Sequence, residues 1–143
     1  MTKDVLITVH GVHVVDGVAQ EPVDLTVRGR YYKQNGHHYF LYDEQLEGMD
    51  SPAHNRVKYT GDTLDVKKSG SVNSHMVFER GKMNVSDYNT VVGTLELGVE
   101  AKTLTIEEKD MKITVHVEYS LHAGGSKVQD SSLTISAVPY PIF

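Results

Sequence analysis

The sequence contains no cysteine. Disulfides, thiolate-bound metals and cysteine nucleophiles are therefore excluded. Long apolar runs are also missing. The longest charge-free stretch, SSLTISAVPYPIF at residues 131–143, is shorter than the roughly 18 apolar residues of a spanning helix and is broken by Ser, Thr and Pro. The opening MTKDVLITVHGVHVVDG alternates apolar with polar residues and has Asp4 where an export signal would be basic. The expectation is a cytoplasmic protein with no membrane partner. Cations are scarce: Lys plus Arg is 14 against 19 for Asp plus Glu, a net charge of −5. That balance argues against a general nucleic-acid binder, which needs a basic face to displace counterions. Local catalytic and phosphate-binding motifs (GxSxG, SxxK, HExxH, GxGxxG, Walker) are absent. No residue is therefore assigned as catalytic, and no cofactor or metal is expected.

What the sequence does have is a period of two. Ile113, Val115, Val117, Tyr119 and Leu121 share one parity, with Thr114, His116, Glu118 and Ser120 on the other. A strand sends these two sets to opposite faces, one into a core and one into water. Val23, Leu25, Val27 and Tyr31 repeat the pattern, as do Val91, Leu95, Leu97 and Val99, and Leu133, Ile135 and Ala137. Shorter runs occur at Val57/Tyr59, Leu64/Val66, Met76/Phe78 and Leu104/Ile106. The first run, Val5, Ile7 and Val9, changes parity at Gly11 to Val12 and Val14, which predicts a bulge or bend there.

Asp16-Gly17 and Asn35-Gly36 are two-residue hairpin signals, because both central positions need positive φ. Gly61-Asp62, Ser69-Gly70, Gly81 and Gly124-Gly125 mark further turns, and a single helical turn has room only near Leu46–Pro52. About ten short strands follow from these signals. A chain of 143 residues without a linker or composition shift is one domain. Successive hairpins favour an up-and-down antiparallel barrel of about 8–10 strands, whose closure removes the edges.

The segment HHYFLYDE, His37 to Glu44, is apolar on both parities: His38, Phe40, Tyr42 and Glu44 on one, Tyr39 and Leu41 on the other. Such a strand is covered on both faces. One face lines the barrel. The other meets the C-terminal Val138–Phe143, a ligand, or a second copy in a homodimer. If the Phe40 parity points inward, Glu44 enters an apolar space and needs a cationic partner, with Lys68, Arg28, Arg30 and Arg80 as candidates. The histidines are His10, His13, His37, His38, His54, His75, His116 and His122. His116 and His122 share a face but stand about 20 Å apart along a strand, too far for one ion. Most of the eight are expected to face solvent.

These residues also resemble a known family. The pieces are Gly29-Arg30-Tyr31-Tyr32-Lys33, Tyr39-Phe40-Leu41-Tyr42-Asp43-Glu44, Lys68-Ser69-Gly70, Phe78 with Gly81, Tyr88-Asn89-Thr90-Val91-Val92-Gly93-Thr94-Leu95-Glu96-Leu97, and Tyr119. In order and spacing they are similar to the YwiB-like proteins of Gram-positive bacteria, a family of unknown function. The resemblance implies a lipocalin-like (calycin) barrel and no established activity. Relatives of that fold mostly hold small apolar molecules, and a few are enzymes, but fold alone does not fix function. The leading expectation is a small, mostly apolar ligand inside the barrel, with Tyr31, Phe40, Tyr42, Glu44, Phe78, Tyr88 and Tyr119 as pocket residues. The alternatives are a small enzyme using Tyr, Arg and Glu on a carboxylate substrate, and a structural or homo-oligomeric module.

Overall fold

The computed structural model describes residues 3–90 and 93–140, and at 88–90 the backbone alone. Among the described residues there is no helix; eleven strands account for most of the chain. They are β1 (Lys3–Val15), β2 (Val18–Ala19), β3 (Val23–Gln34), β4 (His37–Glu44), β5 (Ala53–Tyr59), β6 (Thr63–Gly70), β7 (Asn73–Glu79), β8 (Met83–Thr90), β9 (Gly93–Lys109), β10 (Lys112–Ala123) and β11 (Ser126–Pro139). Each long strand pairs antiparallel with its neighbours in sequence, and β11 returns to pair with β1. The ten long strands therefore make one circuit, with β2 a short flap on β1.

The turn chemistry acts as the sequence predicts. Asp16 and Gly17 have φ of 52° and 76°, Asn35 and Gly36 of 54° and 79°. These are the left-handed pairs a tight hairpin demands. Between Leu46 and Pro52 the chain makes turns rather than a helix, tied by Met49 N donating to Leu46 O at 3.1 Å.

The apolar parity points inward. Ile7, Phe40, Val57, Leu64, Val117 and Ile135 are no more than 1% exposed, so the middle of the barrel is filled by side chains with no room for a water against them. Each such side chain contributes roughly 1.5–3 kcal/mol of burial. The outer face carries charged residues such as Arg30, Arg56 and Lys67, the reverse of a lipid-facing barrel with its outward apolar band.

Three local expectations are corrected. Gly11 causes no bulge: β1 runs in unbroken register past it, pairing Gly11 with Leu133 and His13 with Ser131. Val12 and Val14 simply take the outer face and are half-buried there. The missing Cβ at Gly11 leaves space toward the His13 ring, 3.6 Å away. The bulges lie elsewhere, where β9 has Lys102 and β11 has Val128 in excess of their β10 partners. Val23 and Leu95, on apolar parities, are 53% and 52% exposed because both lie at the rim where the core ends. Val91 lies outside the described residues.

The circuit has one thin seam. β7 and β8 pair only at Asn73–Asn89 and Ser74–Tyr88, next to the Asn73 end. Toward their connecting turn they part, and the Asn84 amide bridges the gap by donating to Val77 O at 3.3 Å. The turn is fastened to β9 instead: Gly81 N donates to Ala101 O at 3.0 Å, and the Arg80 guanidinium donates to Leu104 O.

Candidate functional site

The polar side chains that point inward gather at the two ends of the barrel. At the end formed by the last residues of β4 and the first of β5, Lys68 donates to Glu44 at 2.9 Å, and the Asn55 amide donates to the same oxygen at 3.4 Å. Of the four cations considered for Glu44, register selects Lys68, because Tyr42, Asn55 and Lys68 stand side by side on β4, β5 and β6. Across this end His13, Gln129 and Ser131 bond one another over 2.8–3.1 Å. Burial raises the pKa of both Tyr42 and Tyr119, keeping these phenols protonated.

The opposite mouth is different, because its polar groups are not all satisfied. The Asn35-Gly36 turn fixes the β3–β4 register, which sets Tyr31 opposite Phe40, and β5 then brings Tyr59 opposite His38. The rings pile up: Tyr31 on His38 with centroids 5.9 Å apart, and His38 on Tyr59 at 4.6 Å and 6° between planes. The Tyr31 hydroxyl meets His38 Nδ1 at 2.7 Å. His38 Nε2 faces the Glu108 carboxylate of β9 at 3.6 Å, across the mouth. A proton on Nε2 directed at Glu108 leaves Nδ1 to accept from Tyr31.

Tyr59 is 1% exposed, and among the described residues its buried hydroxyl has no well-formed hydrogen-bond partner. Burial and then the Glu108 charge push this phenol's pKa up, so it remains a neutral donor. Glu108 acts on it through its charge and through a hydrogen-bond approach whose geometry is too poor to satisfy the hydroxyl. Native proteins rarely leave a buried hydroxyl unpaired, and each such group calls for an explanation. Tyr59 lines a cleft of about 430 Å³ with His38, Arg80, Ile106 and Glu108, its hydroxyl lying beneath the surface. That volume lies within the roughly 300–1,000 Å³ of small-molecule sites.

Burial lowers the pKa of His38 from 6.5; Glu108 opposes this, while Lys33 and His37 add to it. A depressed histidine pKa means that the neutral ring's stabilisation is complete above about 6.5 and declines as pH falls through that value, since the unfolded chain takes the proton first. Between about pH 7.5 and 5.5 the wild-type melting temperature is expected to fall more steeply than that of His38→Gln. Parallel curves would show that His38 is not the titrating group.

Of the seven residues expected in a pocket, Tyr31, Phe40, Tyr42, Glu44, Phe78 and Tyr119 lie on inward parities, but they do not form one site. Phe40 and Phe78 are core in the middle, with Phe78 edge-on to Tyr119 at 4.8 Å. Tyr42, Glu44 and Tyr119 belong to the Lys68 end, and Tyr31 to the His38 mouth. The side chain of Tyr88 lies outside the described residues. The arrangement of tyrosines, Glu44 and an arginine does not assemble: Arg28 and Arg30 are on the outer face, and Arg80 is at the far mouth. His38, Tyr59, Arg80 and Glu108 were not singled out as a set from sequence. The available signal was parity, since His38 shares that of Phe40, Tyr59 that of Val57, and Glu108 that of Leu104 and Ile106.

The histidines also divide. His10, His54 and His75 pair outside with Asp24, Asp43 and Asp65. His13 and His38 point inward, two exceptions that an expectation made for most of the eight allows. Among the described residues no three His, Asp or Glu side chains lie together so as to hold a metal ion.

Comparison with known proteins agrees with this architecture. The family profile described as "Domain of unknown function (DUF1934)" matches residues 7–135. The chain is 27% identical over 138 residues to the "Uncharacterized beta-barrel protein YwiB" of Bacillus subtilis (strain 168), covering 95% of each. Its fold matches the crystal structure of the B. subtilis ywiB protein with a TM-score of 0.85 at 22% identity, over 96% of this chain and 92% of that one.

Proposed function

Because the chain belongs to the DUF1934 family of β-barrels of unknown function, we propose its role from its geometry: a cytoplasmic barrel that binds a small organic molecule in the His38 mouth. The observation that carries this reading is that Tyr59, which lines the 430 Å³ cleft, has a buried hydroxyl left unsatisfied among the described residues. A ligand acceptor there would complete it. Arg80 offers a cation for an anionic or acceptor group, and Glu108 an acceptor for a donor. Ile106 and the edge of the Tyr59–His38 stack supply apolar contact. The ligand expected from sequence inside the barrel is thereby moved to one end and made more polar, since the middle is occupied by side chains.

Native mass spectrometry of gently purified protein tests this. The wild type is expected to carry a small-molecule adduct. Tyr59→Phe is expected to lose it by about 3–10-fold, the worth of one neutral hydrogen bond. The same variant is expected to melt no lower than wild type, because it removes a buried unpaired group. An unchanged adduct in Tyr59→Phe would refute the placement, and a bare wild type that no compound of a diverse fragment set stabilises would refute the reading.

One observation favours a second, enzymatic reading. The series Tyr31–His38–Glu108 is a phenol, imidazole and carboxylate in line, the order needed to move a proton to or from a bound molecule. If the mouth is an active site, Glu108→Gln retains binding and loses turnover.

A further inference from the structure

The outer face of β3 to β6 carries a feature that the mouth does not explain. Register places Arg30, Leu41, Arg56, Lys67 and His75 directly opposite one another on five successive strands, β3 to β7. Arg56 and Lys67 are thus cross-strand neighbours of like charge, an arrangement that destabilises a sheet. Their surroundings neutralise them only in part: Asp65 makes a long ion pair with Arg56 at 3.8 Å while also bonded to His75 at 2.9 Å, and Lys67 is left without a counter-charge among the described residues. Among the described residues the buried Arg56 Nε has no hydrogen-bond partner. Among the described residues, Arg30 and Lys67 form no ion pair. Arg56 and Lys67 border a shallow cleft of about 350 Å³ floored by Leu41.

The next row adds aromatic surface. Tyr32 and Tyr39 are opposite each other and stacked at 4.5 Å, with Lys58 beside Tyr39 at 5.8 Å from its ring. Arg28 extends the cations toward Tyr140, over whose ring it lies at 4.6 Å. A chain of net charge −5 has therefore collected Arg28, Arg30, Arg56, Lys58 and Lys67 on one face, among which stand Asp4 opposite Arg30, Asp65 opposite Lys58, and Asp43 beside His54. Net charge is a sum, and a polyanion meets the local distribution, since exposed charges beyond about 8–10 Å are screened at physiological salt.

We propose that this face binds single-stranded nucleic acid. Arg56 and Lys67, on adjacent strands about 4.8 Å apart, and Arg30, two strands from Arg56 across Leu41, would contact the phosphates. The Tyr32–Tyr39 pair beside them offers the aromatic contact that single-stranded binders use for bases, and this favours nucleic acid over an acidic polypeptide. The expectation of no nucleic-acid partner, drawn from the overall charge, gives way here to the placement of that charge.

The test is fluorescence anisotropy with a labelled 12-nucleotide single-stranded RNA of mixed sequence and the full chain. About four phosphate contacts give a salt slope near −3, hence about a 50-fold loss of affinity between 50 and 200 mM salt. The double variant R30E/K67E is expected to lose at least about 10-fold. Its melting temperature holds because two effects offset: Lys67→Glu puts an attractive partner opposite Arg56, while Arg30→Glu puts a like charge opposite Asp4. Tyr39→Leu is expected to lose about 5-fold or more, while Tyr59→Phe binds RNA as wild type does. The proposal is overturned if the RNA does not bind at low salt, or if R30E/K67E binds as tightly as wild type. It is also overturned if polyglutamate competes as well as RNA and Tyr39→Leu has no effect, which would identify an acidic protein partner.

Discussion

Phe78→Ala is expected to lower the stability of the barrel by about 3–5 kcal/mol, the range for emptying a buried phenylalanine site. Phe78 is 1% exposed, opposite Leu64 on β6, with its ring edge-on to Tyr119. Its strand pairs with β6 at six positions but with β8 at only two, the shortest pairing between long strands of the circuit. Packing must hold β7 where the ladder does not, so the cavity has little framework to collapse onto. At this chain length each kcal/mol shifts the melting temperature by about 2–4 °C, giving a drop near 10–15 °C. Val18→Ala, at a side chain 61% exposed on the short β2, serves as the control and is expected to stay within about 0.5 kcal/mol. A loss below about 1 kcal/mol for Phe78→Ala would mean that Phe78 is not in a packed layer.

Gly29→Ala is expected to cost about 1–3 kcal/mol, toward the upper end, though it adds one methyl group. A Cβ at this position would stand 2.5 Å from Ile7 Cδ1, 2.6 Å from the Leu41 carbonyl oxygen and 3.2 Å from the Tyr42 Cβ. Ile7 is fully buried and the Leu41 oxygen is backbone, so neither gives way freely. Gly29 lies where β3, still paired with β1 at Val5, is about to take up β4 at Arg30. The close approach of the two backbones needs a residue without a side chain. Denaturant titration of the pair with Ile7→Val makes this specific. Ile7→Val alone is expected to cost about 0.5–1.5 kcal/mol, and less in the Gly29→Ala background because it relieves one clash. Strict additivity would contradict the shared contact.

The architecture was legible because its signals are local. Alternation names the strands, and the dipeptides at Asp16 and Asn35 dictate tight hairpins that leave each strand beside the next. Closure follows from β11 pairing with β1, which alternation permits but does not encode. Gly11 misled because a parity change has two causes, a bulge or a half-buried outer face, and Val12 and Val14 are the second. The inward parity of His37–Glu44 was not legible, since Tyr39 and Leu41 are as apolar as the residues behind them. Glu108 hid within Glu107-Glu108-Lys109-Asp110, which reads as a solvated turn, although its parity with Ile106 aims it across the mouth. Arg80 lies in a turn, where period gives no direction. The cationic row was invisible for another reason: Arg30, Arg56 and Lys67 are distant in sequence, and only the register of four strands makes them neighbours.

The account's central claim is a barrel filled in its middle that holds a ligand at one mouth. The direct test is a methyl NMR spectrum of isoleucine-labelled protein, titrated with compounds that raise its melting temperature. The Ile106 methyl, in the wall of the mouth, is expected to shift while those of the fully buried Ile7 and Ile135 stay in place. Shifts at Ile7 and Ile135 with Ile106 unmoved would put the ligand in the middle of the barrel and contradict it.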